Sequence, residues 1–228
     1  MITVAVTGST NTDLLALARN GAPEITWLRA ERQTGGRGRQ GRSWSSPPGN
    51  LHASTLVRVS SADPPAPTLA LVAAVALHEA ATLFCPDRML RLKWPNDLLA
   101  GPAKLAGTLL ERAGDAVVIG FGVNLAHHPT DLGRTATSLA ALTGAAVDSD
   151  TFLQALAESF AGQLIDWRSA GVHPIRTRWL AAAHPPGTAL STPAGEGLFE
   201  GLDENGALRL RLADGSTQVI HAGDVFLI

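Results

Sequence analysis

The chain has one cysteine, Cys85, so it can form no internal disulfide and no cysteine-based metal cluster. That fits a reducing compartment. The amino terminus, MITVAVTGST, lacks a basic run followed by a long apolar one, so no secretory signal is expected. The longest apolar run, LALVAAVAL at 69–77, ends at His78 and Glu79 and is too short to span a bilayer. The expected location is therefore the cytoplasm. Neither sign of charge is in excess. A formal net charge of −2 excludes a polycation that coats nucleic acid or anionic membrane. Lysine is nearly missing: only Lys93 and Lys104 occur, against 16 arginines. An ammonium is a compact point charge, whereas the guanidinium fork is broad and planar. The two lysines therefore mark candidate positions where arginine would not serve.

What is present is an ordinary globular balance of 45% hydrophobic and 17% charged residues, which excludes wholesale disorder. A length of 228 residues suits one large domain, or one with a small module. Residues 2–7 read as a strand. GSTNT at 8–12 follows with helix-capping residues, then the apolar-periodic DLLALARN and Gly21 as a stop. EITWLRAERQ at 24–33 reads as a second strand and LHASTLVRV at 51–59 as a third. Between them, 34–50 is rich in glycine, serine and proline and aperiodic, as a mobile surface loop would be.

After the turn-forming SADPPAPT, residues 69–84 have the composition of a helix buried in the core. MLRLKW at 89–94 reads as a short strand ending in PND. KLAGTLLER at 104–112 and AVVIGFGVNL at 116–125 read as strands joined at Gly114-Asp115, the second buried on both faces. Residues 148–170 show helical periodicity, with Asp150 or Ser149 as the expected cap.

After His184-Pro185-Pro186-Gly187 the character changes to five short strand-like pieces with turn signals at 204–206 and 214–215. So few residues make a weak core alone, so a small β-barrel docked on the main domain is expected. The boundary places a main domain at 1–184 and a small one at 185–228. The fold class is α/β (α+β), with a β-sheet flanked by helices.

Four segments carry candidate chemistry. Around Gly36-Arg37-Gly38-Arg39-Gln40-Gly41-Arg42-Ser43-Trp44, residues 29–42 hold five arginines and one glutamate. Glycines let backbone N–H groups converge on an anion, and arginines add bidentate phosphate contacts. A solvated loop and a nucleic-acid contact are the competing readings. The segment is not a P-loop, because no Gly-Lys-Ser/Thr occurs. Lys93-Trp94-Pro95-Asn96-Asp97 places Asn96 and Asp97 at a strand end, as a site or as a plain turn. In KLAGTLLE, Lys104 opens an apolar strand and Gly107 leaves room for close approach. In GFGVNL, the glycines suggest something passing close, and Asn124 must find partners, from a ligand or from loop backbone. Two further candidates are weak. His127 and His128 diverge as adjacent residues, and Cys85 has no histidine partner in view.

Taken together, GSTN at 8–11, GRGRQGRSW at 36–44, KWPNDLL at 93–99, KLAGTLLE at 104–111, GFGVNL at 120–125 and AGDV at 222–225 resemble the biotin–protein ligase family (biotin–[acetyl-CoA-carboxylase] ligases). The resemblance spans nearly the whole chain. It implies a mixed β-sheet core like that of class II aminoacyl-tRNA synthetases and an SH3-like carboxy-terminal barrel. It implies the monofunctional form, since some members carry an amino-terminal DNA-binding domain and this chain starts almost at GSTN.

The resemblance also implies two steps. Biotin and ATP, with Mg²⁺, give biotinyl-5′-AMP, and a lysine of the biotin carboxyl carrier domain of acetyl-CoA carboxylase or a related carboxylase then displaces AMP. By motif position, Ser9, Thr10, Gln33, Gly36, Arg37, Gly107 and Leu109 would bind biotin. Arg39 and Lys104 would sit at its carboxylate and the α-phosphate. Arg42, Trp44, Asn96 and Asn124 would hold the nucleotide, and Asp97 would orient the incoming amine or assist the metal. Metal ligands are not specified. A monomer or weak homodimer, with no nucleic acid or membrane partner, is expected. The alternatives are a lipoate or octanoate ligase of the same superfamily, and a non-enzymatic nucleic-acid module built on the arginine loop.

Overall fold

The computed structural model describes residues 1–86, 89–130 and 135–228. Seven strands form one mixed sheet: β1 (Ile2–Thr7), β2 (Trp27–Gln33), β3 (Leu51–Arg58), β4 (Leu90–Lys93), β5 (Asp97–Ala100), β6 (Ala103–Ala113) and β7 (Ala116–Val123). Their order is β1-β2-β3-β7-β6-β5-β4. Only β1 and β2 run parallel, because α1 (Thr10–Arg19) crosses between them; the other neighbours are antiparallel. The hairpin at Gly114-Asp115 aligns β6 with β7 from Ala113↔Ala116 to Ala106↔Val123.

The two faces of this sheet are covered unequally. One packs on α2 (Leu69–Thr82), α4 (Ser149–Ala170) and α5 (Val172–Ala182). Val117, Ile119, Phe121 and Val123 of β7 enter that core. They share it with Val72, Val75 and Ala76 of α2 and with Phe152, Phe160 and Trp167 of α4. The α2 helix is apolar on every side because sheet and helices enclose it, with Val72, Ala73, Ala76 and Ala81 fully buried. On the opposite face α1 covers only part of the sheet. Leu14 and Ala18 meet Leu28, Leu56, Ala116 and Val118 in a small second core.

Three sequence expectations need correction. The cap of α4 is Asp148, whose extended backbone lets its carboxylate accept from Thr151 N–H at 2.8 Å. Ser149 and Asp150 are already helical, and Asp150 pairs with Arg29. The second strand starts at Trp27, because Glu24 is drawn to Arg168 at 2.7 Å. Strand β5 was not foreseen: DLLA is too short to show a period, yet it pairs with both β4 and β6. A short α3 (Leu139–Thr143) and α5 were not foreseen either.

The five carboxy-terminal pieces form β8 (Ala189–Thr192), β9 (Gly195–Leu202), β10 (Leu208–Arg211), β11 (Thr217–Ile220) and β12 (Phe226–Leu227). They make an antiparallel sheet in the order β11-β10-β9-β8-β12. Leu208 and Leu210 point inward, while Arg209 pairs with Glu200 outside at 2.9 Å. This sheet shares the large core: Phe199 meets Trp179 of α5 edge-on, and Trp94 Nε1 donates to the Gly206 carbonyl at 3.1 Å. Among the described residues no helix is long and apolar enough to cross a membrane.

Candidate active site

The part of the sheet that α1 leaves uncovered is a cavity of about 400 Å³. Its floor comes from β6 and β7, at Gly107, Leu109, Gly120 and Gly122. The glycines of β7 do admit something close, but it is protein. A Cβ at Gly120 would overlap the Asn11 side chain, and one at Gly122 would overlap the Trp44 ring. Gly107 serves Lys104 in the same way, since a Cβ there would stand 3.0 Å from Nζ.

One wall is the start of α1. Ser9 is the N-cap, with extended backbone and no side-chain capping bond, so its hydroxyl is left to the cavity. Thr10 donates to Gln33 Oε1 from its backbone N–H at 2.8 Å and from its hydroxyl at 3.1 Å. Gln33 in turn donates to Ser46 Oγ at 3.2 Å. Asn11 is buried. It donates to Glu111 at 2.7 Å and accepts from Ser54 at 2.6 Å.

The arginine loop forms the roof. Gly35 N–H bonds the Gly8 carbonyl, Trp44 N–H bonds the Gly36 carbonyl, and Gly38 N–H bonds the Arg42 carbonyl. A short 3₁₀ turn at Arg39–Gly41 caps this hairpin, with Gln40 at φ 56°. The carboxy-terminal sheet holds the tip. Arg39 donates to the Gly223 carbonyl at 3.1 Å, and Arg42 pairs with Asp224 at 2.8 Å. Across the cavity Lys93 donates to the Val225 carbonyl at 2.8 Å.

Asp97 closes the far side, bonded to both Lys104 and Lys93. Burial pushes its carboxyl up, but the Lys104 and Lys93 charges outweigh this and hold it below the usual carboxylate range. The Lys104 ammonium also lies 5.4 Å from the centre of the Trp44 ring.

Of the residues singled out in the sequence, Ser9, Thr10, Gln33, Arg37, Arg39, Arg42, Trp44, Asn96, Asp97, Lys104, Gly107, Leu109 and Asn124 all line the cavity. Gly36 does not. A Cβ there would come within 2.8 Å of Ser46 Oγ and of the Trp44 carbonyl, so Gly36 permits the loop to fold. Asn96 and Asn124 also spend a donor on backbone, at Thr108 and Thr137 respectively. Sequence reasoning gave no role to Asn11, Ser54, Lys93, Asp224 or Val225. Asn11, Lys93, Asp224 and Val225 sit inside recognised motifs, which is a usable signal, whereas Ser54 gives none. His128 faces Ser138 at 3.2 Å, and among the described residues no group of three His, Cys, Asp or Glu is placed to hold a metal. Cys85 is buried, and burial pushes its thiol up.

Among the described residues five cations, Arg37, Arg39, Arg42, Lys93 and Lys104, line this cavity with two carboxylates, Asp97 and Asp224. Such a site favours bringing anions together, as the activation of a carboxylate by a nucleotide requires. Residues 4–124 match the biotin/lipoate A/B protein ligase family, and 190–228 match the biotin protein ligase carboxy-terminal domain. A biotin–[acetyl-CoA-carboxylase] ligase from Paracoccus denitrificans is 41% identical, with 98% of each chain covered. One from Mycobacterium tuberculosis is 38% identical over 97% of this chain and 86% of its own. The biotin protein ligase from Aquifex aeolicus, solved in complex with biotin and ATP, superposes with a TM-score of 0.87 at 25% identity, covering 100% of this chain and 98% of its own. The chain belongs to the biotin/lipoate A/B protein ligase family.

Proposed function

We propose that the chain is an ATP-dependent biotin–protein ligase that attaches biotin to a lysine of a biotin carboxyl carrier domain through biotinyl-5′-AMP. The observation that carries this is the meeting of the arginine loop, Lys104 and the Thr10–Gln33 pair around one cavity, in a chain whose full-length relatives are biotin ligases. Residues 1–184 are the catalytic domain and 185–228 the SH3-like one. The location is cytoplasmic and the state a monomer or weak homodimer.

The first step joins two anions. A carboxylate oxygen of biotin attacks the α-phosphate of ATP, and pyrophosphate leaves. Arg39 and Lys104 cancel the repulsion; one positioned cation is worth on the order of 10²–10³ in rate. Ser9, Thr10, Gln33, the Arg37 backbone, Gly107 and Leu109 hold the biotin end. Arg42, Trp44, Asn96 and Asn124 hold the nucleotide. Gly36 supports the loop rather than the ligand.

Among the described residues both carboxylates in the cavity are engaged by cations, which does not suit a metal held by these two groups. Mg²⁺ would come in with ATP as its phosphate complex, where it would offset part of the phosphate charge. In the second step the acceptor's lysine attacks the acyl carbon and AMP leaves. The loop, tied to Gly223 and Asp224, shields the anhydride from water.

The test is pyrophosphate release on mixing the protein with Mg-ATP and biotin, then lipoate, then octanoate. Release with biotin alone is expected. Release only with lipoate or octanoate would move the chain to another branch of its family.

A further inference from the structure

Both lysines of the chain stand in the cavity, and both are bonded to one carboxylate. Asp97 Oδ1 accepts from Lys104, and Oδ2 pairs with Lys93 at 3.1 Å. Lys93 is held from a second side by the Val225 carbonyl at 2.8 Å. Asp97 itself is 8% exposed. Every other basic side chain apart from the histidines is an arginine.

An acyl-adenylate reacts with any amine that carries a lone pair. The nitrogen attacks the acyl carbon, the carbon–oxygen bond to the phosphate breaks, AMP leaves with the electron pair, and the amine gives a proton to solvent. A guanidinium is not deprotonated in proteins, so the arginines are inert to this reaction. Lys93 and Lys104 are the exceptions, and they lie where the adenylate is made. Lys104 is not simply replaceable. Its ammonium sits against Gly107, where even a Cβ would come within 3.0 Å, and a broad guanidinium fork needs more room.

Resting on the adenylate reading above, we propose that Asp97 is a positioning residue that keeps Lys93 and Lys104 from intercepting the activated acyl group, so that the acceptor's lysine is the amine that reacts. For either lysine nitrogen to approach the acyl carbon it would have to leave its carboxylate oxygen, and a buried carboxylate would be left short of a partner. Lys104 can thus supply charge to two anions without becoming a nucleophile. Removing the carboxylate takes away the partner that ties both lysine nitrogens down.

The experiment incubates wild type, Asp97→Asn and Asp97→Glu with synthetic biotinyl-5′-AMP and no acceptor, then reads intact mass and maps the labelled peptide. Asp97→Asn should gain a biotinyl group on Lys93 or Lys104 at least about ten-fold faster than wild type, and Asp97→Glu should restore protection. Equal labelling of these lysines in wild type and Asp97→Asn overturns the proposal. A fold-independent check acetylates wild type with acetic anhydride. The exposed Met1 amine should react before either lysine, and lysines that react as fast as Met1 overturn the proposal. Anhydride needs no adenylate site. Protected lysines in a protein that releases no pyrophosphate with biotin would therefore count against the ligase reading alone.

Discussion

Strand β7 carries two interleaved sequences. On one face Val117, Ile119, Phe121 and Val123 fill the core under α2 and α4. On the other, Val118 meets α1, and then Gly120 and Gly122 yield their space to Asn11 and Trp44. A period of two lets one strand build a hydrophobic wall and a polar site at once. On this sheet the site begins where side chains stop. Stability should live on one face and chemistry on the other.

The sharpest contrast follows directly. Phe121→Ala should cost about 3–5 kcal/mol of stability by leaving a cavity among Trp27 and Phe160. Its folded fraction should keep its activity. In Lys104→Ala pyrophosphate release per folded molecule should fall about 10²–10³-fold, with some stability lost as well because the buried Asp97 keeps only Lys93 as its charged partner. Thermal unfolding beside initial rates reads both, and a comparable loss of rate per folded molecule in Phe121→Ala would erase the distinction between the faces.

Next comes the roof. Arg39→Gly removes the bond to the Gly223 carbonyl along with the cation. It should release free biotinyl-AMP that labels lysines of a bystander protein such as albumin. Normal retention of the adenylate, with no bystander labelling, would separate the roof from the chemistry.

A subtler change is Gly122→Ala. The added methyl displaces the Trp44 ring, at a cost of about 1–3 kcal/mol for overpacking. KM for ATP should rise more than KM for biotin, because Trp44 is proposed to hold the nucleotide. A rise in both would mean that the floor acts as one unit.

The weakest effect is a pH slope. His52 lies on β3 under the loop, with Nε2 donating to the Pro47 carbonyl at 3.1 Å. Burial lowers its pKa against the opposing pull of that bond, so the neutral ring is the folded form. Its contribution is full above the usual histidine value of about 6.5 and is lost as pH falls from there through the folded value. Urea midpoints of His52→Asn should therefore decline less between neutral and mildly acid pH than those of wild type.

Much of this was legible in the chain. The apolar run at 69–77 marked the enclosed helix, the strand-like pieces after residue 187 marked the second sheet, and the motif residues converged on one cavity. What escaped depends on contacts distant in sequence. Strand β5 has four residues, so only pairing with β4 and β6 defines it. The cap of α4 turned on Arg29 drawing Asp150 away. Gly36 resembled a ligand-facing glycine, yet its constraint is Ser46 and the Trp44 carbonyl. Ser54 is a plain β3 residue until Thr10 and Asn11 fold onto it at 2.7 and 2.6 Å.

The decisive measurement is the mass of a biotin carboxyl carrier domain incubated with this protein, biotin and Mg-ATP. A biotin ligase must add one biotinyl group, on one lysine, and only when biotin and Mg-ATP are both present. A carrier of unchanged mass, while lipoate or octanoate releases pyrophosphate in its place, would contradict the assignment of this open face to biotin.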